Sequence, residues 1–135
     1  MTELLPTYEL TFEKRPGYLY ALVRSDKTTL EMAKEYLRRT AEMCDSVSCG
    51  HLLLERDVPT MLSAVDLYFT TLYFLDLMNG KKIAFVNPHD AIHDHLEYAF
   101  LSGTRAGGHY RLFHTFPEAE KWLLKGQIRD VPPIN

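Results

Sequence analysis

The sequence predicts an α/β fold in which a mixed, mainly parallel sheet is flanked by helices. Short apolar segments with strand character alternate with amphipathic helical segments, in the order β-β-α-β-α-β-α-β-α. The chain has 135 residues, enough for one domain with a buried core. Proline and glycine recur without clustering into a linker. We therefore expect a single domain over 1–135, with its core at about 7–125 and a loose tail at 126–135.

The first two segments predict an antiparallel hairpin. Residues 8–13 alternate between apolar and polar side chains, as a half-buried strand does. A turn at Pro16 and Gly17 leads into residues 18–23, a continuous apolar run that is typical of a buried strand. Because so short a turn reverses the chain, the first strand should be antiparallel to its neighbour.

Helices and strands then alternate along the chain. Thr28 and Glu31 have the spacing of a capping box and predict the start of a helix whose apolar stripe ends at Cys44. A strand follows at 51–55. Pro59 and Thr60 then open a second helix, which should run to Met78.

The remaining elements complete the predicted order. Strands are expected at 83–86 and 110–113, separated by a helix that begins at Asn87-Pro88 and ends in the glycine-rich segment 103–108. A capping box at Thr115 and Glu118 opens the last helix. Its packed face is predicted to hold Ala119, Trp122 and Leu123, with Trp122 buried against the sheet.

Composition excludes several classes of partner. The net charge is -3, and no basic stripe is present to bind phosphates, so nucleic acid is not expected. The longest apolar-rich run, 67–78, is shorter than the roughly 20 residues that cross a bilayer, so membrane insertion is not expected. The N-terminus lacks the basic-then-apolar order of a signal peptide. Cys44 and Cys49 give no disulfide framework, which favours a cytoplasmic location.

Three stretches of the chain resemble the STAS superfamily, and in particular its SpoIIAA-like branch of small bacterial proteins. They are an apolar strand that turns acidic at 52–57, the strand at 82–86, and the closing segment at 111–123. The resemblance implies the STAS-like form of the fold. It also implies a regulatory protein-interaction module that is not an enzyme and holds no cofactor.

The resemblance further implies a phosphorylatable serine, within an Asp-Ser motif, at the start of the helix after the third strand. Thr60 and Ser63 are the candidates at that place. Because Leu62 rather than Asp precedes Ser63, the simpler interpretation is that Thr60 caps the helix and Ser63 faces solvent.

The second helix is the candidate binding surface, because it is apolar nearly all round. We expect Val65, Phe69 and Leu72 to pack on the sheet. The outer side then needs another cover, which a homodimer or a protein partner would supply. The alternative is a carrier or sensor that holds a small apolar or amphipathic ligand beneath this helix. The expected outer residues are Tyr68, Phe74, Leu75 and Met78.

His89, His93 and Glu97 recur every four residues along the helix predicted after Asn87. Two histidines at this spacing lie on one side of a helix, where they could share a metal ion. No third ligand is tied to them by spacing, so we expect a solvated surface and no metal site. No set of side chains in the sequence indicates a catalytic centre.

Overall fold

A computed structural model of the chain describes residues 8–60, 62–78, 80–89 and 109–130. These residues form five strands and three helices. The helix predicted after Asn87 falls mainly on 90–108, outside the described residues. The elements are β1 (Glu9–Arg15), β2 (Tyr18–Arg24), α1 (Leu30–Ser46), β3 (His51–Asp57), α2 (Ala64–Met78), β4 (Lys82–Val86), β5 (Tyr110–Phe113) and α3 (Phe116–Asp130).

The five strands form one sheet in the order β1-β2-β3-β4-β5. β1 is antiparallel to β2, and every later pair is parallel. Gly17, in the turn between β1 and β2, has a φ of 86°, which a residue without a Cβ adopts at little cost. The predicted mixed, mainly parallel sheet and its antiparallel first strand are thus confirmed.

Helices cover both faces of the sheet, α1 and α2 on one side and α3 on the other. In β3, Leu52 and Leu54 join the core on the α1 and α2 side, while Leu53 joins the core beneath α3. A strand buried on both faces needs apolar residues at successive positions, which explains the continuous apolar run. Among the described helices, none has the length and apolar character needed to span a bilayer.

Threonine side chains cap α1 and α3, as the sequence predicts, but the capping residue of α1 is not the predicted one. Thr29, not Thr28, caps α1, because its hydroxyl accepts a hydrogen bond from the Met32 backbone N–H at 3.1 Å. Thr115 precedes α3 as predicted. Its hydroxyl donates to the Glu118 carboxylate at 3.0 Å and accepts from the Glu118 backbone N–H at 3.5 Å.

Cys44 and Cys49 are joined by a disulfide, which corrects the expectation of two unpaired cysteines. Cys44 lies in the core with no exposed surface, as its place in the α1 stripe predicted. Ser48, at a φ of 56°, turns the chain after the helix, and the two Cα atoms lie 5.4 Å apart. The residues between the two cysteines give no clear indication of a turn, so the sequence did not show that the chain reverses here and brings the cysteines together.

The last helix is anchored differently from the prediction. Ala119 and Leu123 have no exposed surface, whereas Trp122 is only half-buried. The Trp122 ring lies beneath the Lys82 ammonium group, 4.5 Å from the ring centroid, and so sits over the beginning of β4. α3 continues through Asp130, past the expected start of the loose tail.

Leu123 is therefore expected to contribute more to folding than Trp122. Leu123→Ala should lower the free energy of unfolding by about 2–5 kcal/mol, because it opens a cavity in a fully buried site. Trp122→Ala should cost less, since the indole is only half-buried. Urea unfolding followed by far-UV circular dichroism measures both. A larger loss for Trp122→Ala would show that the indole is the anchor.

Candidate functional site

The second helix turns a different face outward from the one predicted. Val65 and Phe69 are 63% and 60% exposed, and Tyr68 is 36% exposed. The expectation that Val65 and Phe69 pack on the sheet is therefore wrong. The buried stripe lies on the opposite side of the helix and consists of Thr70, Thr71, Phe74 and Met78.

Two buried threonines explain this orientation. The hydroxyls of Thr70 and Thr71 donate to the Leu67 carbonyl at 3.0 and 2.8 Å. With their hydrogen bonds satisfied inside the helix, these side chains pack in the core at little cost. A polar residue type thus faces inward, and the apolar residues Val65 and Phe69 face outward.

The four predicted surface residues are separated by the structure. Tyr68 is at the surface, with its ring centroid 5.5 Å from that of Phe69. Leu75 is half-buried against the core. Phe74 and Met78 are each 1% exposed, so the expectation that they face outward is wrong. The exposed apolar group is Val65, Tyr68 and Phe69, which we call the α2 face.

Ser63, not Thr60, caps the second helix. Its hydroxyl accepts a hydrogen bond from the Asp66 backbone N–H at 3.2 Å. Thr60 lies before the helix, exposed, and its carbonyl accepts a hydrogen bond from Arg56 at 2.7 Å. The expected cap at Thr60 is therefore wrong. The exposed Ser63 hydroxyl lies at the helix start, immediately before the α2 face, and its phosphorylation stays a prediction.

A cavity of about 60 Å³ lies beneath α2, between the helix pair and the sheet. Its floor includes Leu54, Phe85 and Leu112, which occupy one row across three parallel strands. Leu67 and Phe74 of α2 line it from above. Phe74, which sequence analysis placed on the binding surface, therefore faces a cavity rather than solvent.

Arg56 borders this cavity with a charge that no carboxylate balances among the described residues. Its guanidinium donates to three neutral oxygens: the Tyr36 hydroxyl at 3.1 Å, the Val58 carbonyl at 3.3 Å and the Thr60 carbonyl at 2.7 Å. These bonds hold the group in place across the carboxyl end of β3. None of these three acceptors carries a charge.

Asn87 lies beside Arg56 at the end of β4 and is 1% exposed. Its side-chain oxygen accepts a hydrogen bond from the His89 backbone N–H at 2.8 Å. Its amide nitrogen Nδ2 is buried and has no hydrogen-bond partner in the described part of the chain. Buried polar atoms are nearly always paired, so this nitrogen is exceptional.

Asp57 forms a second polar group at the same edge of the sheet. One carboxylate oxygen lies 2.9 Å from Nε2 of His89, and the other accepts from Nε of Arg24 at 3.1 Å. The hydrogen bond with His89, followed by that with Arg24, holds the pKa of Asp57 below its ordinary value. His89 is thus engaged with a carboxylate.

The predicted histidine cluster is only partly described. His93 and Glu97 lie outside the described residues. Within the ranges that the structure covers, no group of three or more potential metal ligands is found.

Comparison with known proteins supports the fold. No family model and no curated protein matches the chain. Among solved structures, an anti-sigma factor antagonist from Mycobacterium paratuberculosis matches with a TM-score of 0.64 and 15% sequence identity. The match covers 87% of this chain and 94% of that one. The STAS-like fold implied by the three sequence stretches is therefore confirmed, and at this identity the likeness concerns the fold alone.

The contacts of Asp57 with His89 and Arg24 should make the stability of the fold depend on pH in a defined direction. The pKa of Asp57 is lower in the folded protein than its ordinary value of 3.8. The contribution of Asp57 to the free energy of unfolding is therefore complete above pH 3.8 and is lost as the pH falls through the folded-state pKa. Asp57→Asn should therefore lower the free energy of unfolding at pH 7, by less than about 1 kcal/mol for so exposed a pair. The difference should vanish in strong acid.

Thermal unfolding of both proteins across this pH range measures the effect. Asp76→Asn, at an exposed position on α2, is the control and should show no such pH dependence. A wild-type advantage that persists in strong acid would contradict the role of the carboxylate charge.

Proposed function

We propose that this chain is a regulatory protein-interaction module, without enzymatic activity, and that its α2 face binds protein. The observation that carries the proposal is the exposure of Val65 and Phe69 side by side on one helix. Large apolar side chains left in water forgo about 1.5–3 kcal/mol each, and a protein contact recovers that free energy. A cluster of this kind marks interaction sites on proteins.

The shared fold supports the same class of function. One solved protein with this fold is an anti-sigma factor antagonist, a name that describes action on a regulatory protein. Fold alone does not fix function, so the proposal rests on the α2 face and takes the fold as support.

Self-association is the first contact we propose for the α2 face. A symmetric dimer covers the same apolar group on both copies with one interface. Phosphorylation of Ser63 would add about two negative charges beside this face, which would weaken an apolar contact or attract a partner that carries arginine. We also propose a cytoplasmic location, where thiol reductants would open the disulfide between Cys44 and Cys49.

A charge placed in the α2 face tests the proposal. Phe69→Glu should leave the fold intact, because Phe69 is already 60% exposed. It should raise the dimer dissociation constant at least about a hundredfold, since each copy loses an apolar group worth roughly 1.5–3 kcal/mol. Sedimentation velocity measures the mass, and circular dichroism checks the fold.

Thr11→Glu is the matched control, because it adds one carboxylate at an exposed position of β1, away from α2. This variant should keep the wild-type mass. A monomeric wild-type protein, or a Phe69→Glu variant with unchanged association, would contradict self-association through the α2 face.

A further inference from the structure

We propose that the cavity beneath α2 binds a short-chain carboxylate. Its carboxylate would accept hydrogen bonds from Arg56 and Asn87, and its hydrocarbon part would lie among Leu54, Phe74 and Phe85. This site is separate from the α2 face, and the proposal does not depend on self-association.

Strand register brings the two polar residues to one end of the cavity. Arg56 and Asn87 each follow one residue after the paired positions Glu55 and Val86 of neighbouring parallel strands. Side chains alternate along a strand, so both residues share the sheet face of Leu54 and Phe85, two positions earlier.

The buried nitrogen of Asn87 calls for an acceptor. The hydrogen bond from the His89 N–H to Oδ1 fixes which end of the amide is oxygen, since the flipped amide would set two donors against each other. Nδ2 is then a buried donor without a partner in the described residues. A buried donor that stays unpaired costs free energy, and a ligand oxygen would recover it.

The charge of Arg56 selects an anion. A guanidinium has five N–H donors, and three of them bind the neutral oxygens described above. The remaining donors, together with a charge that no carboxylate balances among the described residues, suit a carboxylate ligand, whose two oxygens match the guanidinium in geometry and sign. A neutral ligand would form no ion pair with the Arg56 guanidinium.

The size of the cavity limits the hydrocarbon part. A volume of about 60 Å³ holds roughly four waters, since one water needs about 10–15 Å³ by the same measure. That space fits a chain of a few carbons and not a long acyl chain. Butanoate, with three carbons beyond its carboxylate carbon, is therefore the probe of choice.

Titration of the full chain with butanoate and with butan-1-ol separates anion recognition from apolar binding. Calorimetry should show that butanoate binds at least about tenfold tighter than the alcohol, the difference a charge-assisted hydrogen bond supplies. The side-chain NH2 resonance of Asn87 should shift on adding butanoate.

Two variants and a control locate the site. Asn87→Asp keeps the size of the side chain and the oxygen that accepts from His89, but replaces the free donor with an anion. It should weaken butanoate binding at least about tenfold, and Arg56→Gln should do the same. Arg111→Gln removes one charge from an exposed position on β5 and should bind butanoate like the wild type.

Several results would overturn the proposal. They are equal affinity for butanoate and butan-1-ol, the absence of saturable butanoate binding, and unchanged binding in Asn87→Asp. Should Asn87→Asp not fold, Asn87→Leu replaces it, and retention of butanoate binding there would equally refute the site. Phe69→Glu should bind butanoate normally, so failure of the α2 face as an interface is distinguishable from failure of this site.

Discussion

Burial of β3 on both faces is the constraint from which the rest of the structure follows. Leu52, Leu53 and Leu54 are each at most 2% exposed, because α1 and α2 cover one face of the strand and α3 covers the other. A strand in this position has no room for polar side chains along its buried middle. Its polar side chains lie at the two ends, His51 at the beginning and residues 55–57 at the carboxyl end.

The last three residues of β3 are charged, and each lies in a different environment. Glu55 lies toward the α3 side and accepts a hydrogen bond from the Tyr20 hydroxyl at 2.6 Å. Burial, together with this bond, raises the pKa of Tyr20. Arg56, one residue further, borders the cavity on the opposite face, and Asp57 binds Arg24 and His89 at the edge. Strand alternation thus sends successive charges into separate environments.

The sheet could be predicted from sequence because its signals are local. The alternation in β1, the turn at Gly17 and the apolar runs of the later strands specify each strand. The order of strands and helices then favours parallel pairing. The disulfide between Cys44 and Cys49 was missed because it depends on the turn at Ser48, a backbone conformation with no strong sequence signal.

The orientation of α2 could not be predicted from apolar character, because apolar residues lie on every side of the helix. Asp76 was the useful signal: it shares a helical face with Val65 and Phe69, and a carboxylate belongs in water. If Asp76 had been given more weight than the apolar residues, this face of α2 would have been predicted to point outward. The carrier alternative placed a ligand beneath this helix, but the residues that line the cavity were not predictable, since they depend on how α1, α2 and three strands meet.

The two faces of α2 carry the two proposed contacts. Phe69 lies outside, on the α2 face, and Phe74 lines the cavity on the inner side of the same helix. A rigid helix moves as a unit, so a ligand that favours one position of α2 over another also changes the surface that a protein partner meets. Linkage requires the effect to be reciprocal, and the partner would then change carboxylate affinity by the same factor. Two contacts of unrelated chemistry would in this way be joined by a single helix.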